Sequence, residues 1–216
     1  KQISRRPIIW IALAMVIGVS LSLKTTKTHK PQNHTIDEAI PLLTSLENEI
    51  KPDPLSGYIL FDRTLLAAAA PSYTSSLHLL WSPYTYTYGS VAPKEDNERL
   101  HQYFYFLGVD EQKLQTMLEA PVYRSALFGL HRVNKTLTQN FVPVTRAEIQ
   151  GQIDRYLQYK QAFSQPQAEL WPLSHVVVAG DWQYHLSNLD RWYERDGGQR
   201  IGTSIVYRVR PRFTKN

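Results

Sequence analysis

Apolar and polar positions divide the chain into one long uncharged run and a body of shorter alternating segments. The run is Pro7 to Leu23, fenced by Arg5-Arg6 before it and Lys24 after it. It reads as a membrane helix. At about 1.5 Å per residue it reaches roughly 25 Å, the short end of what crosses a hydrocarbon core, and the flanking cations can snorkel to supply the rest. A signal peptide is the rival reading, with Ser20-Leu21-Ser22 as a small-x-small cleavage site. The polar stretch Thr25 to Gln32 then reads as a solvated linker. The expected organisation is residues 1–24 as transmembrane helix and flanks, 25–35 as linker and 36–216 as one extramembrane domain.

Within that domain Ile36, Ile40, Leu43, Leu46 and Ile50 recur at helical spacing, with Thr35 or Asp37 to cap and Pro52 and Pro54 to stop the helix. Gly57 to Asp62 is a short apolar run ending on a charge, the pattern of a buried strand opening into a helix over Leu65 to Ala70. Leu77 to Trp81 is a second strand. Lys94 starts a helix that runs through the aromatic block Tyr103 to Phe106 to Gly108, with acids in its first turn where the helix dipole favours them. Asp110 to Glu119 is the next helix. Pro121 to Val133 fits helix or strand.

Thr145 and Glu148 form a capping box for a helix reaching about Phe163, and Ser164 to Ala168 reads as a linker. The last fifty residues suggest β-α-β: a β-branched strand over 174–180, a short helix over Leu189 to Tyr193 capped by Asn188, and an alternating strand over 203–210 after Gly197-Gly198. The fold class expected is α/β, a small and mostly parallel sheet built from 57–62, 77–81, 174–180 and 203–210, preceded by one N-terminal transmembrane helix.

Charge changes the picture in one respect. The formal net charge is +5 and the pI about 9.3, but much of the excess lies in the two flanks. That distribution suits lipid headgroups better than a duplex-binding face, so nucleic acid is not an expected partner and the lipid bilayer is. The chain has no cysteine, which removes disulfides, thiolate nucleophiles and cysteine-based zinc sites. The first residue is Lys1, which fits the tail of a longer protein or a processed precursor.

Catalytic signatures are missing. There is no phosphate-binding glycine loop, no H-E-x-x-H, no G-x-S-x-G and no dinucleotide fingerprint, and no cofactor is implied. His78, His101, His131, His175 and His185 stand singly, without metal-ligand spacing. A Ser-His-acid relay needs geometry to be seen. Asn33-His34-Thr35 and Asn134-Lys135-Thr136 are formal glycosylation sequons.

Two features have both a structural and a ligand-binding reading. Asp62 stands at the carboxyl end of a strand, where ligands collect in open α/β sheets, or it caps the helix that follows. Tyr84, Tyr86 and Tyr88 alternate with threonines and would share one face if extended, to stack on sugar rings, meet lipid, or pack on the body.

At Tyr58-Ile59-Leu60-Phe61-Asp62, through Ala70-Pro71-Ser72-Tyr73-Thr74, the Ser82-Pro83 turn and Glu98-Arg99-Leu100, the chain resembles a recurring tail. It is similar to the extracytoplasmic C-terminal end of bacterial polytopic membrane proteins of the GT-C glycosyltransferase type. The resemblance covers most of Gly57–Gly108 and, more faintly, Ser174–Arg210. It implies a protein that uses a polyprenyl-phosphate-linked sugar and keeps its catalytic acid in a loop near the N-terminus, outside this chain. No catalytic residue is carried over. What it implies here is a membrane-localised, extracytoplasmic body that holds a glycan acceptor or the lipid-linked sugar, with Asp62, Tyr84, Tyr86, Glu95 and Arg99 as candidate contacts. The alternative is a single-pass membrane-anchored interaction module of the cell envelope that catalyses nothing. An envelope hydrolase is a third possibility without a motif to support it.

Overall fold

A computed structural model describes residues 39–50, 57–74, 77–83, 93–137, 141–179 and 186–213. The chain divides into two compact units, Lys1–Pro41 and Leu42–Asn216. Of the first, residues 39–41 are described and are helical. The second holds the sheet and is described from here on.

The second unit opens with helix α1, residues 42–50, whose Leu42, Leu43, Leu46 and Ile50 are buried. Strand β1 (Tyr58–Phe61) runs into helix α2 (Thr64–Tyr73). Helices α3 (Pro93–Phe106), α4 (Glu111–Met117), α5 (Pro121–Phe128) and α6 (Leu130–Val133) follow, with a 3-10 turn at Lys135–Leu137, then α7 (Arg146–Ala162) and α8 (Gln165–Leu170). The C-terminal part is β2 (Leu173–Ala179), α9 (Ser187–Asp190), β3 (Tyr193–Arg195), β4 (Gln199–Ile201) and β5 (Ser204–Pro211).

The sheet order is β1-β2-β5-β3, with β4 also on β5. β1 pairs with β2 in parallel, and every pairing made by β5 is antiparallel. The sheet is therefore mixed, not mostly parallel as the strand pattern suggested. The connections explain the correction. Between β1 and β2 the chain passes through several helices, ample for a crossover that returns to the same end of the sheet. After β2 the chain comes back to begin β3 opposite the end of β5, so β3 runs in the same direction as β2, and the reversal comes later, where β4 turns into β5. β4 enters β5 through Gly202 (φ 59°), a tight turn that closes an antiparallel hairpin.

The expected segment 77–81 is not a full strand. It touches the sheet through one parallel bridge, Ile59 to Leu79, closed by Ile59 N–H to the His78 carbonyl at 2.7 Å and Leu80 N–H to the Ile59 carbonyl at 2.9 Å. The linker expected over Ser164 to Ala168 instead starts α8, and Tyr193 belongs to a strand, not to the helix expected over 189–193.

The expected membrane helix Pro7–Leu23 lies outside the described residues. Among those described, no helix is long and apolar enough to cross a membrane. The longest described, α7, carries Arg146, Glu148, Gln150, Asp154, Arg155 and Lys160 along its length, which lipid would not accept. The architecture described is an α/β body with a mixed sheet in place of a mostly parallel one.

The core lies on the α3 side of the sheet. Tyr103, Phe104, Tyr105 and Phe106 are all buried because α3 is covered from several directions. Phe104 meets Tyr123 of α5 and Tyr156 of α7 with ring centroids 5.7 Å apart, Tyr105 stacks on Phe163 at 3.7 Å, and Phe106 meets Tyr193 of β3 edge-on at 5.7 Å. Such offset and edge-on pairs add to the burial of large apolar area. Gly108 ends this helix in the left-handed region (φ 63°), where a side chain would be strained. In β2, Val176 and Val178 join this core, while His175 points to the other face and meets α1 through Glu49.

Candidate functional site

The carboxyl ends of the parallel pair gather the most suggestive polar groups. Asp62 directly follows β1, and its N–H continues the ladder to the Val177 carbonyl at 3.0 Å. Its side chain, 4 % exposed, turns toward β2, where Oδ2 accepts the Ala179 N–H at 2.9 Å. Asp62 therefore does not cap α2. The N-cap position is Arg63, with no side-chain cap bond.

Arg63 reaches across the sheet end, donating from its guanidinium to Ser204 Oγ at 2.8 Å and Thr203 Oγ1 at 3.3 Å at the start of β5. Its Nε lies 3.9 Å from Asp62 Oδ1, close enough for charge attraction and too far for a hydrogen bond. Neither Asp62 Oδ1 nor Arg63 Nε has a hydrogen-bond partner. Beneath them the Tyr103 hydroxyl donates to the Asp62 carbonyl at 3.2 Å and shares a hydrogen bond with Tyr123. Trp81 stacks on Tyr123 at 5.6 Å and closes the floor.

Burial pushes the Asp62 carboxyl above its ordinary value, against the Ala179 N–H and the Arg63 charge, which favour the ionised form. Burial likewise lifts both tyrosine hydroxyls, and the Asp62 charge adds to it. The arrangement thus presents an acceptor oxygen and a donor N–H, both unpaired, at a spacing that a single hydroxyl oxygen can bridge. Both atoms are buried, while 34 % of the Arg63 side chain is exposed.

Of the other candidate contacts, Glu95 and Arg99 do not join Asp62. Glu95 and Arg99 bind each other one turn apart on α3 at 2.7 Å. Arg99 is also held between two rings, 4.9 Å from the centroid of Tyr58 and 5.5 Å from that of Trp171. Tyr58 begins β1 and Asp62 follows its end, so the two clusters sit roughly 13 Å apart along the strand. Tyr84 and Tyr86 lie outside the described residues, as does His185. Arg63, Thr203, Ser204, Tyr103 and Tyr123 are site residues that the sequence reading misses. Arg63 is legible as the residue after a strand-end acid, but its partners 140 and 141 residues away are not.

A second constellation is visible only in three dimensions. Ser174 Oγ lies 2.9 Å from His175 Nδ1, and His175 Nε2 lies 2.8 Å from Glu49 Oε1, which also accepts from Arg208 Nε. The types are those of an acyl-transfer relay. The placement is not: Ser174 is buried in the central strand, with its hydroxyl 3.4 Å from the Tyr58 carbonyl. The network instead ties α1 to the sheet. Burial raises the Glu49 carboxyl, but the hydrogen bonds from His175 and Arg208 outweigh it and hold it below its ordinary value.

Among the described residues no cluster of histidines and acids could hold a metal ion. Asn134 of the second sequon closes a local turn, its Oδ1 accepting the Thr136 N–H at 3.0 Å and hydroxyl at 2.7 Å. The chain matches no family model, no curated protein and no solved structure.

Proposed function

We propose that this body holds a hydroxyl-rich ligand, a glycan acceptor or the sugar of a lipid-linked donor, for a glycosyltransferase-like membrane protein whose catalytic acid lies elsewhere. The observation that carries the reading is the buried Asp62 carboxyl with Oδ1 unpaired beside the unpaired Nε of Arg63. Buried polar atoms are rarely left without partners, and those that are mark places where a water or a ligand group completes the set. A hydroxyl donates to the carboxylate and accepts from the guanidinium, which an apolar or a purely anionic ligand cannot do. The position, beyond the carboxyl ends of parallel strands and at the start of α2, is where open α/β sheets take ligands. The GT-C-type resemblance supplies the ligand class.

Saturation-transfer NMR of the full chain against a panel of monosaccharides, short glycans and a short-chain polyprenyl-phosphate sugar tests it. At least one member should give signals that fall about tenfold or more with Asp62→Asn and with Arg63→Gln, while the fold, followed by circular dichroism, is kept. Signals that survive both substitutions would move the site elsewhere. A panel without any signal would discard the ligand reading and leave an interaction module of the cell envelope.

A further inference from the structure

A different surface of the same unit carries an inference that does not depend on the sugar site. From Ala120 to Ala147 the chain has no acidic residue, while Arg124, Arg132, Lys135 and Arg146 are basic. This stretch contains α5 and α6, in neither of which is any residue buried. Tyr123, Ala126 and Leu127 rest on the core from one side. On the other, Leu130 is 46 % and Val142 58 % exposed.

Arg132 fixes the arrangement. It donates to the carbonyls of Val142 at 2.7 Å and Pro143 at 3.2 Å and meets both oxygens of Glu148 at 3.0 Å, which brings Val142 beside the turn that carries Leu130. Glu148 is in turn held by the Thr145 N–H and hydroxyl, which together with Arg132 keep its carboxyl below the ordinary value. The one acid that borders the arm on its C-terminal side is thus already paired. Glu119 borders it on the other. Lys135 and Arg146 are exposed on the same stretch as these two aliphatic side chains, as is His131, while the Nε of Arg124 is buried.

We propose that this arm lies on the surface of an anionic lipid bilayer. Leu130 and Val142 would enter the headgroup boundary, and Lys135 and Arg146 would meet the lipid phosphates. Short helical segments with exposed aliphatic tips and a basic rim match the two parts of that boundary together, burial of apolar area and attraction to anionic headgroups. Over its 28 residues the stretch itself contributes no acid to repel those headgroups.

Because the chain has no cysteine, Leu130→Cys gives a single attachment point for an environment-sensitive fluorophore on the full chain. On vesicles containing phosphatidylglycerol the emission should shift to the blue, rise several-fold and be quenched by nitroxide lipid. On phosphatidylcholine alone it should stay aqueous, whatever other part of the chain associates with the vesicle. Neutralising Lys135 and Arg146 to glutamine should weaken the response about fivefold per cation. A label at the exposed Glu194→Cys on β3 should not respond.

The proposal is overturned if the label at 130 stays aqueous on anionic vesicles, or responds equally to neutral ones. It is overturned as well if the emission changes with protein concentration in the absence of lipid, which assigns the patch to a second copy, or responds to an acidic polypeptide and not to vesicles.

Discussion

Replacing Asp96 by asparagine should stabilise the protein at neutral pH. Asp96 lies in the first turn of α3, is 1 % exposed, and has one carboxyl oxygen without a hydrogen-bond partner. Burial pushes its carboxyl up from 3.8 to about 6, Arg99 opposes this and Glu95 adds to it. A shift of about two units corresponds to about 3 kcal/mol of penalty on the ionised form. The helix N-terminus favours an anion by about 0.3–1 kcal/mol, and solvent screening takes more, leaving about 1–2 kcal/mol. The sign follows from proton uptake. Between about pH 4 and 6 the folded state keeps a proton that the unfolded chain has lost, so wild-type stability falls as pH rises through that window. The asparagine side chain cannot ionise, so the variant should match the wild type near pH 4 and exceed it above pH 6. For a chain of this size the gain at pH 7.5 is about 2–8 °C in Tm. Urea unfolding followed by tryptophan fluorescence at pH 4 and 7.5 measures both ends. A loss of stability at pH 7.5 would refute the reasoning and show that the carboxylate is ionised and partnered, and a gain independent of pH would refute it by showing that ionisation is not the source.

His101 should produce the opposite slope in much the same window. Burial, aided by Arg155, lowers it from 6.5 to about 4, and its ring sits between Tyr156 and Tyr159. Its contribution is full above pH 6.5 and is lost as pH falls toward 4, so His101→Phe in the Asp96→Asn background should flatten Tm against pH across that range. Phe104→Ala should cost about 3–5 kcal/mol in urea unfolding, because Tyr123 and Tyr156 close around that ring from two helices and leave little room to collapse. A cost under about 1 kcal/mol would mean that α5 and α7 pack far more loosely than described.

Where the signal lies within a few residues, the amino-acid sequence by itself determined the outcome. Thr145 and Glu148 form the expected reciprocal cap, Asp110 accepts the Lys113 N–H at 2.8 Å, and Gly108 takes the left-handed turn that ends α3. These bonds close over three or four positions, so composition and spacing suffice to specify them. The strands β1 and β2 are legible for a similar reason, as apolar runs bounded by turn residues, and with them the place of Asp62 at a strand end.

Direction and partnership were decided only by the tertiary structure. Whether β5 runs with or against β2 depends on how the chain re-enters the sheet between them, and the turn at Gly202 sets β5 against β2, β3 and β4 alike. By sequence Asp62 fits a cap or a contact, and the cap gives way to Ala179, 117 residues away, whose N–H occupies one carboxyl oxygen and leaves the other free of a hydrogen bond. The Ser174, His175 and Glu49 alignment spans a comparable distance and shows the same limit. Local hydrogen bonds and periodicity are properties of neighbouring residues. The meeting of distant side chains is set by how the buried faces of α1, α3 and the sheet pack, and no short stretch of sequence contains that information.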